Sequence, residues 1–166
     1  MSCLKELKDQ FYFYYTKKIT LRDFESWLYQ FPGLEADIGK DFYFQLIDID
    51  YRDKTAGERL EKVMFYRFPP MEFEERRIRE LLEKVVEGKS LPKVLEQLYD
   101  EYCKGYHFLD LGLAYVNFLS CEDVNKEKLS KEARQILRLM DQGQIVITNL
   151  YEYRCVEKEQ SEDRKL

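Results

Sequence analysis

The sequence predicts a mainly α-helical fold, a compact multi-helix single domain with a small C-terminal β-hairpin, on three observations. Apolar residues recur at spacings of three and four along most of the chain. Proline and glycine fall between those stripes. A pattern that favours extended chain over helix emerges only after Gly143. At 166 residues, 45% of them hydrophobic, the chain is long enough for one real core. That domain is expected over 1–156, with 157–166 a charged, frayed tail.

Leu4, Leu7, Phe11 and Tyr15 mark the buried stripe of a first helix. Thr20 followed by Asp23 reads as an N-cap and a first-turn acid, opening a helix on Leu21, Phe24, Trp27, Leu28 and Phe31 that Pro32-Gly33 ends. The stretch 42–51 carries two patterns. Phe42, Leu46 and Ile49 suit a helix capped by Asp41, whereas 47–51 alternates as a strand would. Helix is favoured, because the neighbouring segments are helical and no partner strand follows.

Asp53 offers a cap for a helix on Leu60, Val63, Met64 and Phe68, which Pro69-Pro70 stops. Ile78, Leu81, Leu82, Val85 and Val86 form the next stripe, closed by Gly88. Ser90 then caps a helix with Pro92 in its first turn and Leu91, Val94, Leu95, Leu98, Tyr99 and Tyr102 on its apolar face. Residues 108–119 are apolar almost all round, as in a central helix. Ser130 caps a helix on Ala133, Ile136, Leu137 and Met140, with Gly143 at its end. Ile145 to Ile147 and Leu150 to Val156 then suggest a hairpin turning through Thr148-Asn149.

Function classes are bounded by charge and cysteine usage. The net charge of −5 argues against nucleic acid, which needs a surplus of Lys and Arg on some surface, and fits a basic protein partner. The four cysteines form no CxxC pair and there is one histidine, so neither a metal nor another cofactor is expected. Charges fill the N-terminus where a signal peptide is apolar. The longest charge-free run in the apolar region, eleven residues between Asp110 and Glu122, is too short to span a membrane. Reduced cysteines and a cytoplasmic location follow as expectations.

No catalytic site is expected, and the chain is read as not an enzyme. His107 has no activating Ser or Cys motif beside it and reads as a packing or capping residue. Cys103 and Cys121 lack a polarising cation nearby in sequence and read as small buried hydrophobes. Asp48 and Asp50 share a face only on a strand, and read as solvated acids. The glycines are scattered, so no phosphate loop exists.

Charge distribution says more. From Thr20 to Asp53 the acids are Asp23, Glu25, Glu35, Asp37, Asp41, Asp48, Asp50 and Asp53, and the bases are Arg22, Lys40 and Arg52. Three bases against eight acids gives −5, the whole excess of the chain. A solvated face explains such a run. The sharper reading is an acidic binding surface with Trp27, Tyr29, Tyr43 and Tyr51 as anchors, although Trp27 suits the core better.

Trp27-Leu28-Tyr29, Leu34-Glu35, Ile38-Gly39, Asp41, Tyr43, Leu46-Ile47 and Asp50-Tyr51 together resemble the N-terminal half of small bacterial proteins encoded beside secreted polymorphic toxins. Those proteins are taken to be immunity proteins, and the resemblance spans roughly residues 24–60. It implies a protein that binds and blocks a toxin domain by stoichiometric occlusion, many such toxins being basic nucleases. The expected contact residues are Glu25, Glu35, Asp37, Asp41, Tyr43, Asp48, Asp50, Tyr51 and Asp53. Two rivals stand beside this: a non-catalytic helical adaptor with an apolar groove, and an enzyme whose carboxylates converge with His107 only in three dimensions.

Overall fold

A computed structural model describes residues 3–112, 114, 115, 117, 120 and 123–156. Its contacts separate into two compact units, residues 1–73 and 74–166, and the buried apolar side chains fall into the same two sets. The mainly α-helical class with a small C-terminal hairpin is as the sequence predicts.

The first unit holds α1 (Cys3–Tyr15), α2 (Leu21–Gln30), α3 (Leu34–Ile38), α4 (Lys40–Ile47), α5 (Ala56–Arg67) and the first turn of α6 (Pro70–Glu87). In α1, Leu7 and Phe11 are fully buried as the stripe requires, and Tyr12 is buried beside them. The buried face is thus wider than the i, i+4 pattern indicated. Phe11 meets Phe73 edge to face at 5.1 Å, an arrangement that the ring quadrupoles favour. α2 starts with a complete capping box. The Thr20 hydroxyl accepts from the Asp23 amide at 3.1 Å, and the Asp23 carboxylate accepts from the Thr20 amide at 2.8 Å.

The ambiguous stretch is helix over α4, then turn. Leu46 and Ile49 are buried, so the alternation at 47–51 follows a chain leaving a helix and not a strand. Asp53 does not cap α5 directly. Its carboxylate accepts from the Thr55 amide at 2.7 Å and the Thr55 hydroxyl at 2.8 Å, fixing the turn before Ala56. Pro69-Pro70 does end α5, but Pro70 also opens α6. At the first helical position a missing N–H costs nothing, so the same proline that closes one helix starts the next.

The second unit holds the rest of α6, α7 (Leu91–Lys104), a 3₁₀ turn (His107–Leu109), α8 (Lys126–Asp141) and the hairpin of β1 (Ile145–Asn149) and β2 (Glu152–Cys155). Two expected caps are corrected. Ser90 precedes α7 with φ +48° and makes no side-chain cap bond. Ser130 lies inside α8, which starts earlier because the Asn125 side chain accepts from the Lys128 amide at 3.0 Å. The Ser130 hydroxyl donates to the Val86 carbonyl instead, at 3.4 Å. At the end of α8, Gly143 adopts φ +66° and donates to the Met140 carbonyl, while the Gln144 amide reaches Leu139. This paired ending is what a left-handed glycine permits.

β1 and β2 pair antiparallel, Ile145 opposite Cys155 and Ile147 opposite Tyr153. The turn comes two residues later than expected, at Leu150-Tyr151, because Asn149 stays on the strand opposite Glu152. Ile145 and Ile147 point into the core of the unit. The helix expected over 108–119 is corrected at its start: Phe108 and Leu109 belong to the 3₁₀ turn and residues 110–112 are not helical, whereas 114, 115 and 117 are helical. Residues 113, 116, 118 and 119, Cys121 and the tail 157–166 lie outside the described residues.

Candidate protein-binding surface

α4 positions the central side chains. Asp41, Phe44 and Asp48 stand at i, i+3 and i+7, so they form one stripe, and all three are exposed. Phe44 is 47% exposed, a large apolar ring held between two carboxylates. Tyr43 lies beside it, with ring centroids 6.2 Å apart.

Tyr29 of α2 borders this stripe. Its hydroxyl donates to the Ile47 carbonyl at 3.4 Å, and the residue is 57% exposed. The Tyr29 phenol is held above its ordinary pKa by desolvation first, then by the nearby charges of Glu25, Tyr43 and Asp48. The Tyr51 hydroxyl donates to the Leu46 carbonyl at 3.0 Å. Burial, with Tyr29 and Glu25 nearby, pushes that phenol well up. Two tyrosine hydroxyls thus satisfy carbonyls at the C-terminus of α4, the negative end of the helix dipole. Helix end and carboxylates add in sign, so the face attracts cations.

The nine expected contact residues divide among several places. Glu25, Asp41, Tyr43 and Asp48 gather around Tyr29 and Phe44. Tyr51 is half-buried and serves as a brace, its hydroxyl committed to Leu46. Glu35 and Tyr43 line an open concavity of about 550 Å³ with Phe31, Gly39 and Lys40. Asp37 faces α1, where its carboxylate accepts from the Cys3 thiol and, with burial and the charges of Asp37 and Glu6, raises the thiol pKa. Asp50 accepts from the Arg52 amide at 3.1 Å, and Asp50 and Asp53 both hold turns in the loop before α5. Among the described residues none of the eight acids from Asp23 to Asp53 is ion-paired with Lys or Arg. Their charge is left for solvent or for a partner.

Phe44 was missed by the sequence reading. The helical pattern there was read on Phe42, Leu46 and Ile49 alone, and the pitch of α4 turns Phe44 outward between Asp41 and Asp48. Trp27 packs at 6.1 Å from Phe24 and 5.2 Å from Phe31, so its ring belongs more to the core margin than to the surface. The expectation of a buried Cys103 is corrected. The apolar face of α7 is Leu91, Val94, Leu95 and Leu98, and one residue past Tyr102 the chain has rotated outward, leaving Cys103 exposed. His107 is exposed and packs edge to face on Tyr102 at 5.3 Å. Among the described residues no three His, Cys, Asp or Glu side chains are grouped to hold a metal ion. No described helix is long and apolar enough to cross a membrane.

No protein-family model matches the chain, and no curated protein and no solved structure shows significant similarity to it.

Proposed function

We propose that the chain is a non-catalytic binding protein, an immunity protein that neutralises a cognate toxin domain by stoichiometric occlusion. One observation carries the reading. The stripe Asp41, Phe44 and Asp48, with Glu25 and Tyr29 beside it, presents unpaired carboxylates around exposed aromatic rings. Rigid aromatic anchors ringed by charge supply affinity at the centre of protein interfaces, and complementary charge supplies speed and selectivity. A toxin acting on nucleic acid carries a basic substrate groove, and an acidic surface can fill it in place of phosphate. The resemblance of residues 24–60 to immunity proteins points the same way.

The test is calorimetric titration of the full chain with the C-terminal domain of a large secreted protein encoded beside it. The reading expects a 1:1 complex, inhibition of that domain at equimolar ratio, and competition with its substrate. Tyr29→Ala is expected to weaken the complex by at least about tenfold, the scale of an aromatic anchor. Absence of a complex, or a complex that leaves the toxin active, would contradict occlusion.

A further inference from the structure

The arginines of the second unit are treated in two ways. On α6, Arg76 pairs with Glu80, Arg77 with Glu74 and Glu101, and Arg79 with Glu75 and Asp141. On α8, by contrast, Lys128, Lys131, Arg134 and Arg138 are exposed and make no ion pair among the described residues. Local partners exist in the sequence but are not used. Glu132 stands four residues after Lys128, and Glu127 four before Lys131, yet neither pair forms. Asp141, three residues after Arg138, takes Arg79 instead at 2.6 Å. The open surface along this helix, about 1120 Å³, is lined by α8 residues and its cap Asn125 alone. No other element of the second unit lines it.

Lys131, Arg134 and Arg138 stand at i, i+3 and i+7, the spacing of Asp41, Phe44 and Asp48 on α4. Each stripe places its outer charges about 10.5 Å apart along its helix. We infer that this cationic face of α8 docks on the Asp41–Phe44–Asp48 face of a second copy of the chain. Lys131 and Arg138 meet the two carboxylates, and Arg134 lies over the Phe44 ring, which a guanidinium favours. Nucleic acid fits this face less well. Glu127 and Glu132 share its surface, no aromatic side chain on it offers stacking, and the chain as a whole is negative. Copies of net charge −5 repel at long range, but at physiological salt that repulsion is screened beyond about 8 Å, while the facing charges are in contact. The two faces differ, so the contact is heterologous and association need not stop at a dimer. It uses the surface proposed above for the partner, yet holds or fails independently of that partner's identity.

Sedimentation of the full chain over a concentration series tests this. The native chain is expected to rise above monomer mass at about 0.05 M salt and to return to monomer near 0.5 M. One variant reverses the acidic face (Asp41→Lys, Asp48→Lys) and a second reverses α8 (Lys131→Glu, Arg134→Glu, Arg138→Glu). Each alone is expected to associate at least about tenfold more weakly, and the equimolar mixture to regain association, because each reversed face then meets its complement. The native salt series needs no variant and decides the matter should a reversed chain misfold. A native chain that stays monomeric, association insensitive to salt, or a mixture no better than either variant would each overturn the inference. So would duplex DNA binding at α8 by a chain that remains a monomer.

Discussion

Tyr29 and Arg77 separate the proposed recognition surface from the packing that holds the fold. Tyr29 spends its hydroxyl on the Ile47 carbonyl and leaves its ring to solvent, so its loss should weaken binding more than folding. Arg77 is the reverse case. Its guanidinium bonds Glu74 and Glu101, both at 2.7 Å, and the Tyr106 hydroxyl donates to Glu74 at 2.8 Å. Glu74 is 1% exposed and Glu101 6%. Removing the cation would take away the charge that two buried carboxylates share, so Arg77→Met is expected to cost about 3–5 kcal/mol in urea unfolding. An unchanged midpoint would show that water reaches this cluster. Asp23 gives a pH dependence of known sign. Hydrogen bonds from the Thr20 hydroxyl, then the Thr20 amide, hold its carboxyl below the ordinary value. The group therefore stabilises the fold above the ordinary carboxylate range and loses that effect as pH falls through its folded value. The stability gap between the native chain and Asp23→Asn should be full at neutral pH and shrink as the pH falls below the ordinary carboxylate range. A gap constant with pH would contradict it.

Helices were legible where the sequence states their boundaries locally. The Thr20-Asp23 box and the Gly143 ending are short-range hydrogen-bond patterns, and both stand where the residues indicate. Ser90 and Ser130 failed for one reason: a serine near a helix start can cap it, but the backbone decides. Ser90 sits in the left-handed region, and Asn125 had already started α8 five residues before Ser130. Pro69-Pro70 carried two meanings, stop and start, and the pattern reading used only the first. Thr20→Ala should cost about 1 kcal/mol in urea unfolding, the ordinary value of a lost N-cap. Gly105 ends α7 at φ +140°, and a Cβ there would stand 2.7 Å from the Tyr151 carbonyl. Gly105→Ala therefore combines backbone strain with a clash against backbone. It should destabilise by more than the roughly 1 kcal/mol of a compatible glycine exchange. A neutral effect on thermal unfolding would mean the hairpin turn shifts freely. The candidate surface was half legible: the acids could be counted, but Phe44 could not be assigned outward without the rotation of α4.

For the molecule as a whole, the central question is whether an acidic run acts as a surface or merely stays wet. Four of the nine expected residues gather around Tyr29 and Phe44, while others brace turns or face α1. The field is thus set by fewer groups than the sequence count suggests, with the C-terminus of α4 adding to them. Charge that steers a partner must show in the rate of encounter, because screening acts there first. The most direct test is stopped-flow association of the chain, kept dilute enough to be monomeric, with the proposed toxin domain as salt rises from about 0.05 to 0.5 M. The account predicts a fall of at least about tenfold in the association rate for the native chain, and a low rate with little salt dependence for Glu25→Gln/Asp41→Asn/Asp48→Asn. A native rate untouched by salt, or a triple variant that associates as fast as the native chain, would contradict it.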